Sequence, residues 1–393
     1  MSLQATIRLA DAATCSWDTI VVGAGPAGSL AAYELARQGA KVLLVDKASF
    51  PRWKVCGSCI NGRALGILRA AGLGEMSGRL RAVALGSLWL CSAKRRAVVP
   101  LPDGVVLSRE RFDAALIEAA VDAGVDFLPG TRARLGPVLA EARMVVLQQE
   151  SSDARVASSI VLAADGIAGS LLARQPERRV PRQSNSWIGA GAIVRSGPDA
   201  YRPGTIFMAC GSGGYAGVVR LEDGRLDVAA ATSPNLVKQV GHPSGVVKKL
   251  LEQAHLPPIP ELGSVLWRAT PALTRRASRV GAERLFVLGD AAGFVEPFTG
   301  EGIAWALGSG RAVAPLARRA ATRWHSGLAS EWADLYQKEV GCRHRACRVL
   351  TRALHHVWLS SGMVIALART PQLARPFIRH LNHFAQERIG ASR

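Results

Sequence analysis

The chain has 393 residues, of which 49% are apolar and 20% charged, and 49 Lys and Arg stand against 30 Asp and Glu. This composition is typical of a globular protein and excludes a disordered or fibrous one. Seven cysteines are too sparse for a disulfide framework and predict a protein of the reducing cytosol, and no secretory signal is predicted at the N-terminus.

The first predicted element is a βαβ unit. Residues 18–22 are a short run rich in β-branched side chains, residues 29–38 contain helix formers, and residues 41–46 are apolar on both faces. Strands without polar alternation are typical of a parallel sheet that is covered by helices on both sides. The N-terminal part of the chain is therefore predicted to be of the α/β class.

The turn inside this unit reads Gly23-Ala-Gly-Pro-Ala-Gly28, and Asp46 ends the second strand. Gly23 permits the tight turn, Gly25 lets the backbone approach a pyrophosphate, and Gly28 lets the helix pack on the strand. A carboxylate at Asp46 accepts hydrogen bonds from a ribose and disfavours a 2′-phosphate, which excludes NADP from this site. FAD and NAD both remain compatible with the unit. The predicted dinucleotide contacts are Gly23, Gly25, Ala27, Gly28, Asp46 and Lys47.

The later elements give the fold class: an α/β protein with a Rossmann-like dinucleotide-binding domain, an inserted antiparallel β-sheet substrate domain and a C-terminal helical segment. The predicted elements are helices at 63–71 and 109–123, strands at 125–128 and 158–164, an antiparallel meander within 186–233, a last parallel strand at 285–288, and helices from 303 onward. The predicted domains are 15–178 with 273–315, then 179–272, then 316–393, with 82–107 contributing to the substrate sheet.

Four motifs outside the glycine-rich turn resemble those of the p-hydroxybenzoate hydroxylase-like superfamily of flavoproteins. Residues 288–303 resemble its C-terminal flavin motif, and residues 108–113 its Arg-x-x-Phe-Asp helix start. Residues 164–170 resemble its Asp-Gly motif, and residues 50–57 the loop over the flavin. The sequences of these motifs are most similar to those of the geranylgeranyl reductase group.

The resemblance implies that the dinucleotide is FAD, with NAD(P)H as the electron donor. It implies that Asp290 binds the ribityl or pyrophosphate part of FAD and that the backbone from Gly300 to Ile303 lies near the flavin ring. A helix N-terminus at that place favours a reduced, anionic flavin. The cofactor contacts that follow from the resemblance are Arg109, Asp165, Gly289, Asp290, Gly300, Gly302 and Ile303.

The reaction is less well determined, because a flavin supplies its own redox chemistry and the protein orients the substrate. Monooxygenation, a hydroxylation or epoxidation of a bulky apolar or aromatic metabolite, is the favoured prediction. NAD(P)H-dependent reduction of isoprenoid or other C=C bonds is the first alternative, supported by Cys56-Gly57 and Gly293. Prenyl reductases have a sequence similar to Tyr-x-Trp-x-Phe-Pro on the substrate strand. This chain has Gly217 at the Trp position and Val219-Arg220 in place of Phe-Pro.

Two further alternatives stay open. A flavin-dependent halogenase is disfavoured because no Trp-x-Trp occurs in the sequence. A non-catalytic flavoprotein that docks to a membrane or carrier protein is disfavoured by the complete set of flavin motifs. No metal site and no nucleic-acid partner are predicted.

The substrate pocket is predicted to be apolar, which suits a small apolar or aromatic substrate. No catalytic acid or base is assigned, and Cys56 is the one candidate for a catalytic residue. Cys56 and Cys59 form a C-x-x-C pattern. A redox pair is one interpretation, but two ordinary loop cysteines are favoured because the sequence has no second G-x-G-x-x-G unit. The predicted pocket walls are Phe207, Met208, Tyr215, Val218 and Trp267.

The basic charge is concentrated in residues 304–393, with 14 Lys and Arg against 4 Asp and Glu. This excess is explained either by composition, with arginines on solvated helix faces, or by a basic surface for an anionic membrane or an acyl carrier protein. An apolar stripe runs beside the arginines of residues 343–352. It suits a helix that caps the pocket, a helix that lies at the inner, cytoplasmic face of an anionic membrane, or a helix that packs on the flavin domain. The stripe residues are Cys347, Leu350, Leu354, Val357 and Trp358.

Overall fold

A computed structural model describes residues 3–93, 95–150, 152–172, 186–296 and 298–384. Elements are numbered in chain order. The α-helices are α1 (Leu9–Thr14), α2 (Pro26–Arg37), α3 (Gly62–Ala70), α4 (Met76–Arg79), α5 (Arg109–Asp122), α6 (Pro234–Val240), α7 (Pro243–Gln253), α8 (Gly302–Thr322), α9 (Gly327–Tyr336), α10 (Cys342–Leu354), α11 (Val357–Arg369) and α12 (Arg375–Asn382).

The first sheet has a parallel centre in the order β19-β11-β1-β2-β8 and carries the antiparallel strands β9 and β10 beside β11. Its centre is fully buried, as expected for strands that are apolar on both faces. Its strands are β1 (Trp17–Val22), β2 (Val42–Val45), β8 (Asp126–Leu128), β9 (Arg132–Val138), β10 (Arg143–Gln149), β11 (Ser152–Ala163), β18 (Gly281–Ala282) and β19 (Leu285–Val287).

The second sheet is mostly antiparallel, in the order β16-β12-β15-β14-β13-β5-β6. Helix α7 packs on one face, and α11 contacts β5 and β6. Its strands are β5 (Ser87–Ser92), β6 (Arg95–Pro100), β12 (Ile188–Val194), β13 (Thr205–Gly211), β14 (Gly214–Arg220), β15 (Leu226–Thr232) and β16 (Arg268–Ala272).

Two small sheets join the larger ones. One pairs β7 with both β3 and β4, and the other pairs β17 with β20. Their strands are β3 (Cys59–Asn61), β4 (Val83–Ala84), β7 (Gly104–Val106), β17 (Arg275–Arg276) and β20 (Gly293–Phe294).

The predicted fold class is confirmed: a Rossmann-like unit, an inserted sheet and C-terminal helices are all present. The prediction of a simple meander within 186–233 is wrong, because β12 pairs with β15 and β13 pairs in parallel with β5. Strands β5 and β6 come from the range 82–107, which precedes the inserted segment in the chain. The predicted domain boundary at 178–179 lies outside the described residues.

Candidate active site

A large, continuous cavity of about 1300 Å³ extends from the first sheet to the second. Its first part lies at the carboxyl ends of β1 and β2, where parallel sheets bind ligands. Its volume exceeds the usual range of about 300–1,000 Å³ for one small-molecule site, so it has room for a dinucleotide and a second ligand. All the predicted cofactor residues except Gly28 line this cavity.

The glycine-rich turn has the geometry that its sequence predicts. Gly23 has φ of +108° and donates its N–H to the Val45 carbonyl at 2.7 Å. A side chain on Gly28 would overlap the Gly23 carbonyl, so Gly28 serves helix packing and does not reach the cavity. A Cβ on Gly25 would meet only the Arg52 guanidinium, at 3.8 Å. The turn therefore leaves open space above Gly25, at the N-terminus of α2.

Asp46 holds this turn in its conformation and also lines the cavity. Its Oδ2 accepts the N–H of Ala24 and its Oδ1 accepts the N–H of Ala48, both at 2.8 Å. The Thr131 N–H donates to the Asp46 carbonyl at 2.8 Å. This bond brings the β9–β10 hairpin, which the sequence analysis did not predict, into the wall beside Asp46. The hairpin side chains that line the cavity are Arg132, Ala133, Arg134, Leu135 and Gln148.

Two basic side chains of the loop at 50–57 point into the dinucleotide part of the cavity. The Arg52 Nη2 atom lies 3.8 Å from Asp46 and 3.7 Å from Asp113. Its buried Nε has no hydrogen-bond partner among the described residues. The Lys54 Nζ lies 3.3 Å from Asp290 Oδ2. The sequence analysis did not predict Arg52 and Lys54 as site residues. Their positive charge, in a loop that resembles the loop over the flavin, was the feature that indicated them.

Arg109 begins α5 and is held by Asp113 one turn later. Its Nε and Nη2 donate to the two carboxylate oxygens, each at 2.8 Å, and both residues are buried. Such a bidentate pair fixes the guanidinium plane. The arrangement explains why the Arg-x-x-x-Asp spacing belongs to the motif: the aspartate holds the arginine that lines the cavity.

Asp165 follows β11 and also has spare hydrogen-bonding capacity. Its Oδ2 accepts the Leu171 N–H at 2.7 Å and the Ser170 hydroxyl at 3.1 Å. Its Oδ1 is buried without a partner in the described structure. Burial raises the pKa of Asp165 despite these donors. A hydroxyl group of a bound ligand would be able to donate a hydrogen bond to this buried Oδ1.

The C-terminal motif places a second helix N-terminus at the cavity. Gly289 has φ of +57°, and its N–H donates to the Ser309 hydroxyl at 2.9 Å. Gly300, Gly302 and Ile303 line the cavity at the start of α8. The positive end of a 21-residue helix therefore faces the cavity, where it favours negative charge.

These residues fit FAD. Two helix N-termini, the Arg52 guanidinium and the space above Gly25 suit a pyrophosphate, and the free oxygen of Asp165 suits a hydroxyl of the cofactor. The start of α8 would hold the flavin ring, whose chemistry is hydride and electron transfer.

The second part of the cavity forms a substrate arm along the second sheet, with Met208 and Tyr215 in its wall. The prediction of Phe207, Val218 and Trp267 as pocket walls is wrong, because they pack in the core that α7 covers on the opposite face. Successive residues of a strand face opposite sides, so Phe207 and Met208 were never able to share the pocket. The wall residues of the sheet include Leu88, Leu90, Val99, Ile206, Met208, Tyr215, Gly217 and Val219.

The C-terminal segment closes the substrate arm. Of the predicted stripe residues whose side chains are described, Leu350 lines the cavity and Cys347 and Trp358 do not. The Arg343 Nη1 atom lies 3.3 Å from Oε1 of Glu301, a residue of the flavin motif. The Arg343 guanidinium also donates to the His380 and His383 carbonyls, both at 3.2 Å. The Gly62 N–H donates to Asn382 at 3.1 Å. The lining residues of this segment include Met363, Leu367, Leu373, Phe377, Ile378 and Leu381.

Cys56 and Cys59 both line the cavity, and neither is in a disulfide. Burial raises the pKa of Cys59, with further contributions from Cys56 and Asp227. A thiol that keeps its proton is a poor nucleophile, so the raised pKa disfavours a thiolate relay through Cys59.

Comparison with known proteins agrees with this site. The chain is 29% identical over 327 residues to digeranylgeranylglycerophospholipid reductase 1 of Methanopyrus kandleri, covering 77% of this chain and 80% of that protein. It is 29% identical over 373 residues to menaquinone reductase of Mycobacterium tuberculosis, covering 86% and 84%. The structure of the flavin-dependent brominase Bmp2 aligns with a TM-score of 0.76 at 18% identity, over 94% of each chain, which shows a shared fold.

The fold and the site define an FAD-dependent oxidoreductase. The family described as the FAD binding domain matches residues 16–314, and the chain belongs to this family. The resemblance to the p-hydroxybenzoate hydroxylase-like superfamily is confirmed. In the described ranges, no helix has both the length and the apolar character that crossing a bilayer requires.

Proposed function

We propose that the protein reduces C=C bonds in the isoprenoid chain of a lipid, with FAD as the hydride carrier and NAD(P)H as the electron donor. The observation that carries this proposal is the substrate arm. Aliphatic side chains from the second sheet and from the C-terminal helices surround it, so it suits a long apolar chain more than a polar metabolite. The two relatives above are named as reductases of a geranylgeranyl lipid and of menaquinone.

The altered substrate strand is compatible with this proposal. Gly217 occupies the position at which the prenyl reductase motif has Trp. A Cβ at Gly217 would nevertheless lie 3.5 Å from the Met208 methyl group. Met208 comes from the neighbouring strand and supplies an apolar wall in the same place. Because methionine is flexible, it fills this gap without fixing the shape of one substrate.

Hydroxylation of an aromatic ring is the second candidate, and the absence of an aromatic side chain at Gly217 favours it. The two reactions differ in their products and in their need for oxygen. Saturation adds two hydrogens without oxygen, whereas monooxygenation adds one oxygen atom and consumes O₂.

We expect the FAD-loaded protein, reduced by NADH or NADPH without oxygen, to be reoxidised by geranylgeranyl diphosphate, whose C=C bonds are its only groups that accept a hydride. Mass spectrometry of the product after one turnover should show a gain of two hydrogens. The same mixture without the olefin is the control and should stay reduced. Flavin that stays reduced with every isoprenoid and yields an oxygenated aromatic product after oxygen is admitted would replace this proposal with the second candidate.

We also propose that the mouth of the substrate arm docks on an anionic membrane surface. Leu373 and Phe377 line the cavity, yet they are 61% and 39% exposed. Arg369, Arg375 and Arg379 are exposed in the same segment. Exposed apolar side chains among arginines are typical of helices that lie in the lipid headgroup region. A membrane partner would deliver an isoprenoid lipid directly to the arm.

Replacing both Leu373 and Phe377 by serine is expected to abolish most co-sedimentation with phosphatidylglycerol vesicles. Arg375→Gln with Arg379→Gln should weaken binding by about tenfold or more, because each basic residue near such a surface contributes about 1 kcal/mol. Binding should also fall with rising salt, since charges are screened over about 8 Å at physiological ionic strength.

Leu266→Ser is the matched control, because Leu266 is 75% exposed and does not line the cavity. Its vesicle binding should equal that of the unmodified protein. Equal binding by the Leu373/Phe377 variant would contradict the membrane proposal. Retention on an acyl carrier protein without vesicle binding would assign the basic surface to a protein partner.

A further inference from the structure

The cavity reaches the protein surface at two opposite edges of the second sheet. In the strand order of this sheet, β16 and β6 are the two edge strands. At the β6 edge, the exposed Leu373 lines the cavity, and the segment that carries it contacts β6. At the β16 edge, Arg268, Ala269 and Pro271 line the cavity and are exposed as well. A second ligand is therefore able to reach the cavity without passing the apolar mouth.

A bulge in β16 shapes this second mouth. Between Ala269 and Ala272, three residue steps of β16 oppose two of β12. The extra stretch contains Thr270, whose hydroxyl accepts the Gly189 N–H at 2.9 Å. Bulges bend an edge strand and redirect its side chains. The bulge explains why residues 268–271, four in a row, all line the cavity, although alternate residues of a regular strand face opposite sides.

Arg268 is held by the loop that resembles the loop over the flavin. Its Nη1 donates to the Trp53 carbonyl at 2.9 Å, and its guanidinium lies 5.1 Å from the centroid of the Trp53 ring. The Trp53 ring itself lies close to β12, because a Cβ on Gly191 would meet it at 3.6 Å. The next residue, Lys54, pairs with Asp290 of the flavin motif. The guanidinium therefore borders the site that fits FAD.

The charge of Arg268 has no acidic partner. None of the ion pairs among the described residues includes it, whereas Arg52 and Lys54 nearby each contact a carboxylate. It is also the only charged side chain that the second sheet contributes to the cavity lining within the described ranges. Its contact with Trp53 uses Nη1 and leaves Nε and Nη2, the pair of donors that binds two oxygens side by side. A fixed guanidinium of this kind suits a phosphate or diphosphate.

We propose that Arg268 binds the diphosphate of the nicotinamide dinucleotide that supplies electrons to FAD. The inference rests on the donor of the proposed function, NAD(P)H, and not on the C=C bond as the acceptor. An isoprenoid lipid would enter at the other edge of the sheet, where apolar side chains are exposed. The mouth at Arg268 is then free for a water-soluble anion. The donor and the lipid thus use opposite edges of the second sheet.

The test compares Arg268→Gln with the unmodified protein, both loaded with FAD. Isothermal titration calorimetry measures the dissociation constants of NADP⁺ and NAD⁺, and stopped-flow spectroscopy without oxygen measures flavin reduction at increasing NAD(P)H. We expect Arg268→Gln to raise the dissociation constant of the dinucleotide about 10- to 100-fold, the usual loss for a hydrogen bond to a charged group. The limiting rate of flavin reduction should stay the same, because Arg268 holds the diphosphate and not the reacting ring.

Arg96→Gln is the matched control. Arg96 is an exposed arginine of the same sheet and lies 4.3 Å from the centroid of the Trp89 ring, but it does not line the cavity. Its affinity for the dinucleotide should equal that of the unmodified protein. The same affinity in Arg268→Gln would overturn the proposal.

Geranylgeranyl diphosphate is titrated in parallel, because it also carries a diphosphate. Its affinity should not differ between Arg268→Gln and the unmodified protein. Weaker binding of geranylgeranyl diphosphate with unchanged binding of the dinucleotides would assign Arg268 to the substrate and overturn the proposal. An unmodified protein that binds neither NADP⁺ nor NAD⁺ would overturn it together with the donor of the proposed function. Flavin that NAD(P)H reduces but no olefin reoxidises would contradict the proposed C=C reduction alone.

Discussion

Gly25→Ala is expected to fold normally and to bind FAD about 10- to 100-fold more weakly. Gly25 has φ of −81° and ψ of −178°, which alanine adopts without strain. A Cβ there meets nothing closer than Arg52 at 3.8 Å, so the protein itself has room for it. The methyl group would instead occupy the space for the pyrophosphate at the N-terminus of α2. Losing hydrogen bonds to a charged group costs about 1.5–3 kcal/mol, which corresponds to this loss of affinity.

Titration of the FAD-free protein with FAD, followed by flavin fluorescence, measures the effect. Gly362→Ala is the control, because Gly362 lies in α11 and a Cβ there has no neighbour within 4 Å. It should bind FAD as the unmodified protein does. Circular dichroism should show both variants folded. Unchanged affinity in Gly25→Ala would mean that the pyrophosphate does not approach this turn, and the predicted dinucleotide contacts would need reassignment.

Asp113→Ala should lower the free energy of unfolding by about 3–5 kcal/mol, the usual cost of removing one partner from a buried ion pair. The side chains of Arg109 and Asp113 are 6% and 0% exposed, and two hydrogen bonds of 2.8 Å join them. Without Asp113, the Arg109 guanidinium stays buried with its charge uncompensated. Arg52, whose Nη2 lies 3.7 Å from Asp113, would lose a partner as well.

Urea unfolding of the FAD-free protein measures this loss. Glu331→Ala is the control, because Glu331 pairs with Arg319 at the surface with side chains 46% and 57% exposed, and such pairs contribute about 0–1 kcal/mol. Replacing Arg109 by methionine together with Asp113→Leu removes both charges and should cost less than Asp113→Ala alone. A loss in Asp113→Ala as small as that in Glu331→Ala would show that water reaches this pair.

The sequence by itself determined the dinucleotide part of the protein. The turn from Gly23 to Gly28 and the acid at Asp46 lie within one local βαβ unit, so their spacing fixes their geometry before any distant contact forms. The same holds for Arg109 and Asp113, which are one helical turn apart, and for the start of α8. Local spacing predicts local geometry, and twelve of the thirteen predicted cofactor residues do line the cavity.

Only the tertiary structure decided the substrate arm. Phe207 and Met208 are equally apolar, and nothing local shows which of them faces α7 and which faces the cavity. The strand alternates with period two, so its register in the sheet makes that choice. Glu296 and His355 are far apart in the sequence and meet because the flavin motif and the turn after α10 converge. Such long-range convergence has no periodic signal, and it depends on how the sheet and the C-terminal helices pack together.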